Sequence, residues 1–262
     1  MMQVRDPLRE RYMRRIYEKP SIVEALCEFR FAPSQPWDWA IPGLFYREVE
    51  TEFPIRRQFN PLQAGLPAEA QVAFQNMVTD VERIQFLQKD ERALMQVGPN
   101  LVSVNHLKPY SDWATFKRLI SRALEVYREV ANPEAISRIG LRYINRLEFP
   151  GQQSVNIESY LLAAPTVPEN VPQGFTSWAQ RVEIPFEQEY GLLVLQSSSA
   201  PLEAQRGIAF LLDLDFITLQ AEQVKLDSAM EWIEKAHDEV EKTFEACITD
   251  ETRQLLGEVR RG

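Results

Sequence analysis

Apolar and polar side chains alternate along two stretches of the chain, VEALCEFRF at 23–31 and ISRIGLRYINRLEFP at 136–150. In the second, Ile139, Leu141 and Tyr143 share one face and Arg138, Arg142 and Arg146 the other, the period of two that a strand imposes. In the first, Val23, Ala25, Cys27, Phe29 and Phe31 fall on one side and Glu24, Glu28 and Arg30 on the other. A shift of about 114 residues lays Cys27 on Leu141, and the same shift carries the helical stripe Phe116, Leu119, Ala123, Val126 and Val130 onto Met230, Ile233, His237, Val240 and Phe244. One offset that matches both a strand and a helix predicts a tandem duplication.

The segments between complete two similar units. The stretch 37–53 predicts a helix entered near Pro42, with Leu44, Phe45, Val49 and Phe53 as its stripe. Scattered prolines make 54–81 a long excursion, with a short strand expected near 72–78. Three strands follow at 83–88, 92–97 and 101–107, joined by the turns Lys89-Asp90-Glu91 and Gly98-Pro99-Asn100, short enough to make neighbours antiparallel. A helix over 112–130 has a cap candidate in Ser111-Asp112 and stops before Asn132-Pro133. The second unit repeats the order: the strand at 136–150, a short helix at 156–162, strands at 179–187, 191–197 and 208–219, and a helix at 226–244.

The expected fold class is therefore α+β, a duplicated strand-helix-strands-helix unit forming a curved antiparallel sheet with two long helices on one face. This element order resembles that of the TATA-binding protein. Residues 1–262 read as a single domain with halves 20–135 and 136–248, a basic arm at 1–19 and a helical tail at 249–262. Within the arm, Tyr12, Met13, Ile16 and Tyr17 offer an apolar edge for docking onto the domain.

Composition narrows the function. A 262-residue chain that is 45% hydrophobic can bury a substantial core. Its net charge of −9 argues against wholesale binding to nucleic acid or anionic membrane, and the acidic final segment argues against sequence-specific DNA binding. Two cysteines, Cys27 and Cys247, supply neither a disulfide framework nor a thiolate metal site, which fits a reducing cytoplasm. No apolar run approaches the ~20 residues of a membrane span, and no apolar signal core marks the chain for export.

Among residues with chemical potential, Asp213 and Asp215 in LLDLDF stand two apart, so a strand would place both carboxylates on one face, where Mg²⁺ or Mn²⁺ could bridge them. The plainer reading pairs them with basic residues across a sheet. The row Arg138, Arg142 and Arg146 suits an anion, or else pairs with Glu24 and Glu28 if the two long strands lie side by side. Asn145 is expected to satisfy backbone groups. His237 falls in the apolar register of the last helix, a core position. Trp37 and Trp39, in a loop, are candidates for a recognition surface bordered by 54–81 and 165–178. No nucleophile elbow, HExxH, CxxC or phosphate loop is present, and no cofactor is predicted.

The motifs YEKPSIVEALCEFRF, RIGLRYINRLEF, LLDLDF and FEACITDETRQLLGE, in that order, resemble a sporadically distributed prokaryotic family with no established activity. The resemblance spans nearly the whole chain and implies a bacterial protein, with a patchy distribution that fits mobile or defence-associated genes. Together these features point to a non-enzymatic binding or protein-interaction module taking a protein or small ligand. The alternative is a metal-dependent nucleotide- or nucleic-acid-binding protein or enzyme centred on Asp213 and Asp215.

Overall fold

The longest strand of the protein, Ile136–Pro150, lies at the middle of a nine-stranded antiparallel sheet, in a computed structural model that describes residues 15–33, 36–59, 83–174, 176–202 and 207–259. In chain order the strands are β1 Ile22–Phe31, β2 Ile55–Phe59, β3 Arg83–Leu87, β4 Ala93–Gly98, β5 Leu101–Leu107, β6 Ile136–Pro150, β7 Ala179–Phe186, β8 Gly191–Pro201 and β9 Gly207–Thr218. The α-helices among the described residues are α1 Ile41–Val49, α2 Trp113–Ala131, α3 Ala229–Cys247 and α4 Asp250–Leu256. The protein is α+β, with strand order β2-β3-β4-β5-β1-β6-β9-β8-β7. Read outward from the central β1–β6 pair, one side runs β1-β5-β4-β3-β2 and the other β6-β9-β8-β7.

The register of that pair sets the core. Cys27 lies opposite Leu141, Ala25 opposite Tyr143 and Phe29 opposite Ile139, so the alternating apolar sets of both strands point to the same side. All six are buried. The long helices cover this side because their stripes match it: Phe116 of α2 meets Tyr143 edge-on, and Trp232 of α3 packs on Phe216 of β9. At β3, Phe86 is flanked by Phe45 and Tyr46 of α1. Gly191 is required at its place, since a Cβ there would overlap the Phe216 ring.

Local chemistry ends the helices where the sequence signals them. Asp112 is extended at the N-cap of α2 and its carboxylate accepts the Thr115 N–H at 2.7 Å, while Asn132 closes the helix in the left-handed region at φ 43°. Thr249 caps α4 in the same way, and Gly257 ends it at φ 69°. The segment before β1 is held against this end of the chain: the Glu18 and Lys19 N–H groups donate to the carbonyls of Gly257 and Leu256. Tyr17 also packs edge-on to Phe244, the apolar docking expected of the arm, although Ile16 stays exposed. Tyr12 and Met13 lie outside the described residues.

Four expectations change. The helix expected at 156–162 is a single 3₁₀ turn, Ile157–Ser159, whose following chain bridges to Ile248. The last helix begins at Ala229, after a turn at Leu226–Ser228, and extends to Cys247. The excursion from 54 opens with a true strand, β2, at the sheet edge; the strand expected at 72–78 lies outside the described residues. Loop 165–178 leads into β7, at the opposite edge from β2, so it cannot border the same surface as Trp37 and Trp39. Both cysteines are buried thiols, and no described helix is long and apolar enough to cross a membrane.

Candidate functional site

The face of the sheet that carries no described helix holds the charges. β6 lies between β1 and β9, which places Arg138, Arg142 and Arg146 on the same face as Glu24 and Glu28 on one flank and Asp213 and Asp215 on the other. Arg142 reaches across to β9. Its Nε donates to Asp213 Oδ1 at 2.7 Å and its Nη2 to Asp213 Oδ2, a fork-to-fork pair at buried positions. The expected pairing of the arginine row with Glu24 and Glu28 is met at Arg138, which reaches Glu28, while the fork of Arg142 goes to Asp213 on β9. Glu24 accepts instead from Asn105 Nδ2 at 2.6 Å, and that asparagine accepts from Gln96, so a polar chain continues toward β4. Glu28 gathers three guanidiniums, Arg30 at 2.7 Å, Arg83 at 3.1 Å and Arg138 at 3.5 Å. Arg138 also reaches Asp215 at 3.6 Å, while Arg146 swings to the rim, to Glu148 at 2.8 Å and to the Pro201 carbonyl.

This arrangement decides two readings. The arginine row is no single anion site, because Arg138 and Arg142 are committed to carboxylates and Arg146 stands apart from them. The Asp213–Asp215 pair does share a face, but both Asp213 oxygens are taken by Arg142, and Gln196 Nε2 approaches one of them at 3.3 Å. Guanidiniums occupy the places a divalent cation would need, and among the described residues no group of three or more His, Cys, Asp or Glu side chains is placed to hold a metal. These residues do not fit Mg²⁺ or Mn²⁺.

Burial leaves its mark on this network. Asp215 is 2% exposed, its Oδ2 accepts no hydrogen bond, and desolvation pushes its pKa up to about 6 against the pull of Arg138 and Arg142. Burial alone would lower the Arg142 pKa, but the Asp213 contact outweighs it and the guanidinium stays charged. Asn145 donates to the Leu212 carbonyl at 3.3 Å and accepts from Ser21 Oγ at 3.0 Å, the backbone-satisfying role its place suggested. His237 is buried between Trp113 and Tyr143.

The tryptophans lie elsewhere, at the sheet end where β3 begins and β4 turns into β5. Trp37 and Trp39 meet edge-on at 6.4 Å between ring centres, and Trp39 is 69% exposed. They line a cleft of about 390 Å³ whose charged lining consists of Arg56, Arg57 and Arg83, without a carboxylate among its described residues. Each arginine is held differently. Arg56 lies 4.7 Å over the Tyr46 ring, Arg57 meets Glu91 at 2.5 Å near solvent, and Arg83 is tied to Glu28. Burial lowers the Arg83 pKa, with Glu28 opposing. The indole N–H of Trp37 is withdrawn from solvent and has no acceptor. The cleft thus offers flat apolar surface and three positive side chains.

Trp37 and Trp39 were legible in the sequence; the three arginines were not. Arg56 and Arg57 fall on β2, a five-residue strand that the prolines around IRRQF hid and that the three consecutive polar residues between Ile55 and Phe59 left without an alternating pattern. Arg83 begins a strand and carries no motif. No protein-family model and no curated protein matches the chain.

Proposed function

We propose that this protein is a non-enzymatic binding module that captures an acidic partner bearing an apolar anchor at the Trp37–Trp39 cleft. The observation that carries the reading is Trp39, a large exposed ring set edge-on to Trp37 in a cleft whose charged lining is arginine alone, on a chain of net charge −9. Exposed aromatic and arginine side chains together are the usual energetic centres of interfaces. The framework that presents them is, in this reading, a duplicated unit arranged like the TATA-binding protein. Support comes from the matching strand orders on the two sides of the β1–β6 pair, from Cys27 opposite Leu141, and from α2 and α3 following β5 and β9 on one face. The chemistry asked of the protein is recognition, since the carboxylate pair is spent on Arg138 and Arg142.

Affinity capture from the native host with wild type and with Trp39→Ala tests the proposal. A partner retained by wild type and lost with Trp39→Ala, with a Kd rising about 30-fold or more, is the expected outcome. A partner indifferent to both Trp37→Ala and Trp39→Ala would move the surface elsewhere. Metal-dependent nucleotide turnover abolished by Asp213→Asn would replace the reading altogether.

A further inference from the structure

At the edge opposite the tryptophan cleft, β7 ends the sheet: it pairs with β8, and among the described residues no strand lies on its outer side. An outer edge carries a row of unpaired N–H and C=O groups, the template for a further strand. Which residues supply that row follows from the register. The Ser199 N–H donates to the Trp178 carbonyl at 3.1 Å, one step before the pair Ala179–Ser198. Antiparallel bonding alternates, so Gln180, Val182, Ile184 and Phe186 turn their backbone groups to β8, and Ala179, Arg181, Glu183 and Pro185 turn theirs outward. Pro185, which has no N–H to give, falls in the outward set, where β8 loses nothing by it.

The side chains of β7 are as bare as its edge. Val182 lies in register with Leu195, Leu214 and Tyr143, all buried, yet is itself 46% exposed. Ile184 follows Leu193 and Phe216 in the same way and is 38% exposed. The apolar layer that the helices cover elsewhere is thus left open at this edge. On the other face, Arg181 continues the row of Gln196 and Asp213, and Glu183 that of Val194 and Asp215. These two side chains pair along the strand at 2.7 Å with about half of each in solvent, a contact that holds nothing else in place.

We propose that β7 pairs antiparallel with β7 of a second copy of this chain, about a two-fold axis at Val182, joining two sheets into one. Arg181 then lies opposite Glu183 of the second copy and Glu183 opposite its Arg181. All four belong to the outward set, so each pair exchanges both backbone bonds. Their side chains form a square in which every neighbour, along a strand or across, has the opposite sign. On the apolar face Val182 meets its own counterpart in a non-hydrogen-bonded pair, the closer of the two kinds, flanked by Ile184 of both copies. Ala179 donates to the second copy's Pro185 carbonyl, and the proline removes only the return bond. Sliding to the next register that aligns the outward groups sets Arg181 against Arg181, or Glu183 against Glu183, so charge selects this one. Charges that guard an edge against its own copy would carry one sign; these carry both.

Sedimentation velocity of the full chain from about 1 to 200 µM reads the association, since one strand pair is a small interface with a Kd expected on the order of micromolar. A reversible dimer is expected, and a monomer across the whole range would overturn the proposal. Glu183→Arg and Arg181→Glu each set like charges across the axis and should each raise the dimer Kd about 10-fold or more. Mixed together, the two variants should associate near wild-type affinity, because one strand then carries only positive and the other only negative charge at these positions. A dimer that persists in either variant alone, or no association between the two folded variants, would overturn it. The axis has its own test, which also decides the matter should a charge variant fail to fold. Val182→Cys sets two thiols opposite each other at disulfide distance, so mild oxidation should link two chains, while Gln180→Cys, displaced from the axis, should not link. Both native cysteines are buried and stay out of the reaction. Equal cross-linking of the two variants, or none with Val182→Cys, would overturn the pairing.

Discussion

The two faces of β6 are held by opposite physics, though their side chains alternate along one strand. On the helix side, Ile139, Leu141 and Tyr143 are buried among apolar neighbours, and their removal from water is itself the stabilising term. On the other side, Arg142 is withdrawn with Glu28, Asp213 and Asp215 while Arg138 stays half-buried, and there withdrawal is a cost that ion pairing must offset. The first face tolerates any well-packed apolar group of the right size. The second demands that every charge keep its partner, so a sequence of attractive site residues on that face can be fully consumed by the fold.

The largest effect should come from breaking a pair on the charged face. Arg142→Ala would strand Asp213 without either guanidinium contact, and a loss of about 3–5 kcal/mol in denaturant-monitored stability is expected. Replacing both partners with apolar residues, Arg142→Met with Asp213→Leu, should recover most of it, since the desolvated charges vanish together. A double variant as unstable as the single would mean that the pair is set by packing, and the contrast between faces would fail.

Leu141→Ala probes the other face at the mirror position. Leu141 is fully buried opposite Cys27, so deleting its branch leaves a cavity and should cost about 2–5 kcal/mol. Unlike the arginine variant, this loss should not depend on salt or pH. Dependence on either would show that the apolar face borrows stability from the ion pairs behind it.

How much of this was legible beforehand follows from the same contrast. Strand periodicity is written in neighbouring residues, so Ile139, Leu141 and Tyr143 could be assigned to the core, and Asp112 with Asn132 bounded α2. Register is not written locally. Whether Arg142 meets Glu28 or Asp213 depends on β9 arriving on the far side of β6, with Asp213 71 residues beyond Arg142, and on a diagonal reach that spacing cannot reveal. The i, i+2 aspartates suggested a cation for that reason; the cations supplied were guanidiniums. The arginines of the cleft escaped notice because Arg56, Arg57 and Arg83 come from two strands brought together only by the β2–β3 pairing.

Asp215 sharpens the comparison through pH. Its folded pKa is raised from an ordinary 3.8 to about 6, chiefly by burial. Well below its ordinary value of 3.8 the carboxyl is neutral in both the folded and the unfolded chain, and it exacts nothing. Between 4 and 6 the unfolded chain ionises first, so this contribution is lost as pH rises through the folded value and stays lost above it. Asp215→Asn should therefore stabilise the protein above pH 6 by on the order of 1–3 kcal/mol and have little effect at pH 4, read from Tm across that range. A destabilised variant at pH 7 would show that the Arg138 contact outweighs desolvation.

The smallest expected effect lies at the rim, where the charged face meets solvent and the cleft. Arg57 pairs with Glu91 at 2.5 Å, but both side chains are about half exposed, so water screens the attraction and competes for each partner. Arg57→Ala should change stability by no more than about 0.5 kcal/mol, against the several expected of Arg142→Ala. The fold does not rely on Arg57, and its guanidinium can exchange Glu91 for an acidic group presented beside Trp39 at little cost. Affinity for the captured partner should then fall about 3- to 10-fold with Arg57→Ala and fall further as salt is raised, while Tm stays within error of wild type. If Arg57→Ala instead unfolds the protein like Arg142→Ala, the rim belongs to the structural network, and the cleft loses the argument that sets it apart as a place for a ligand.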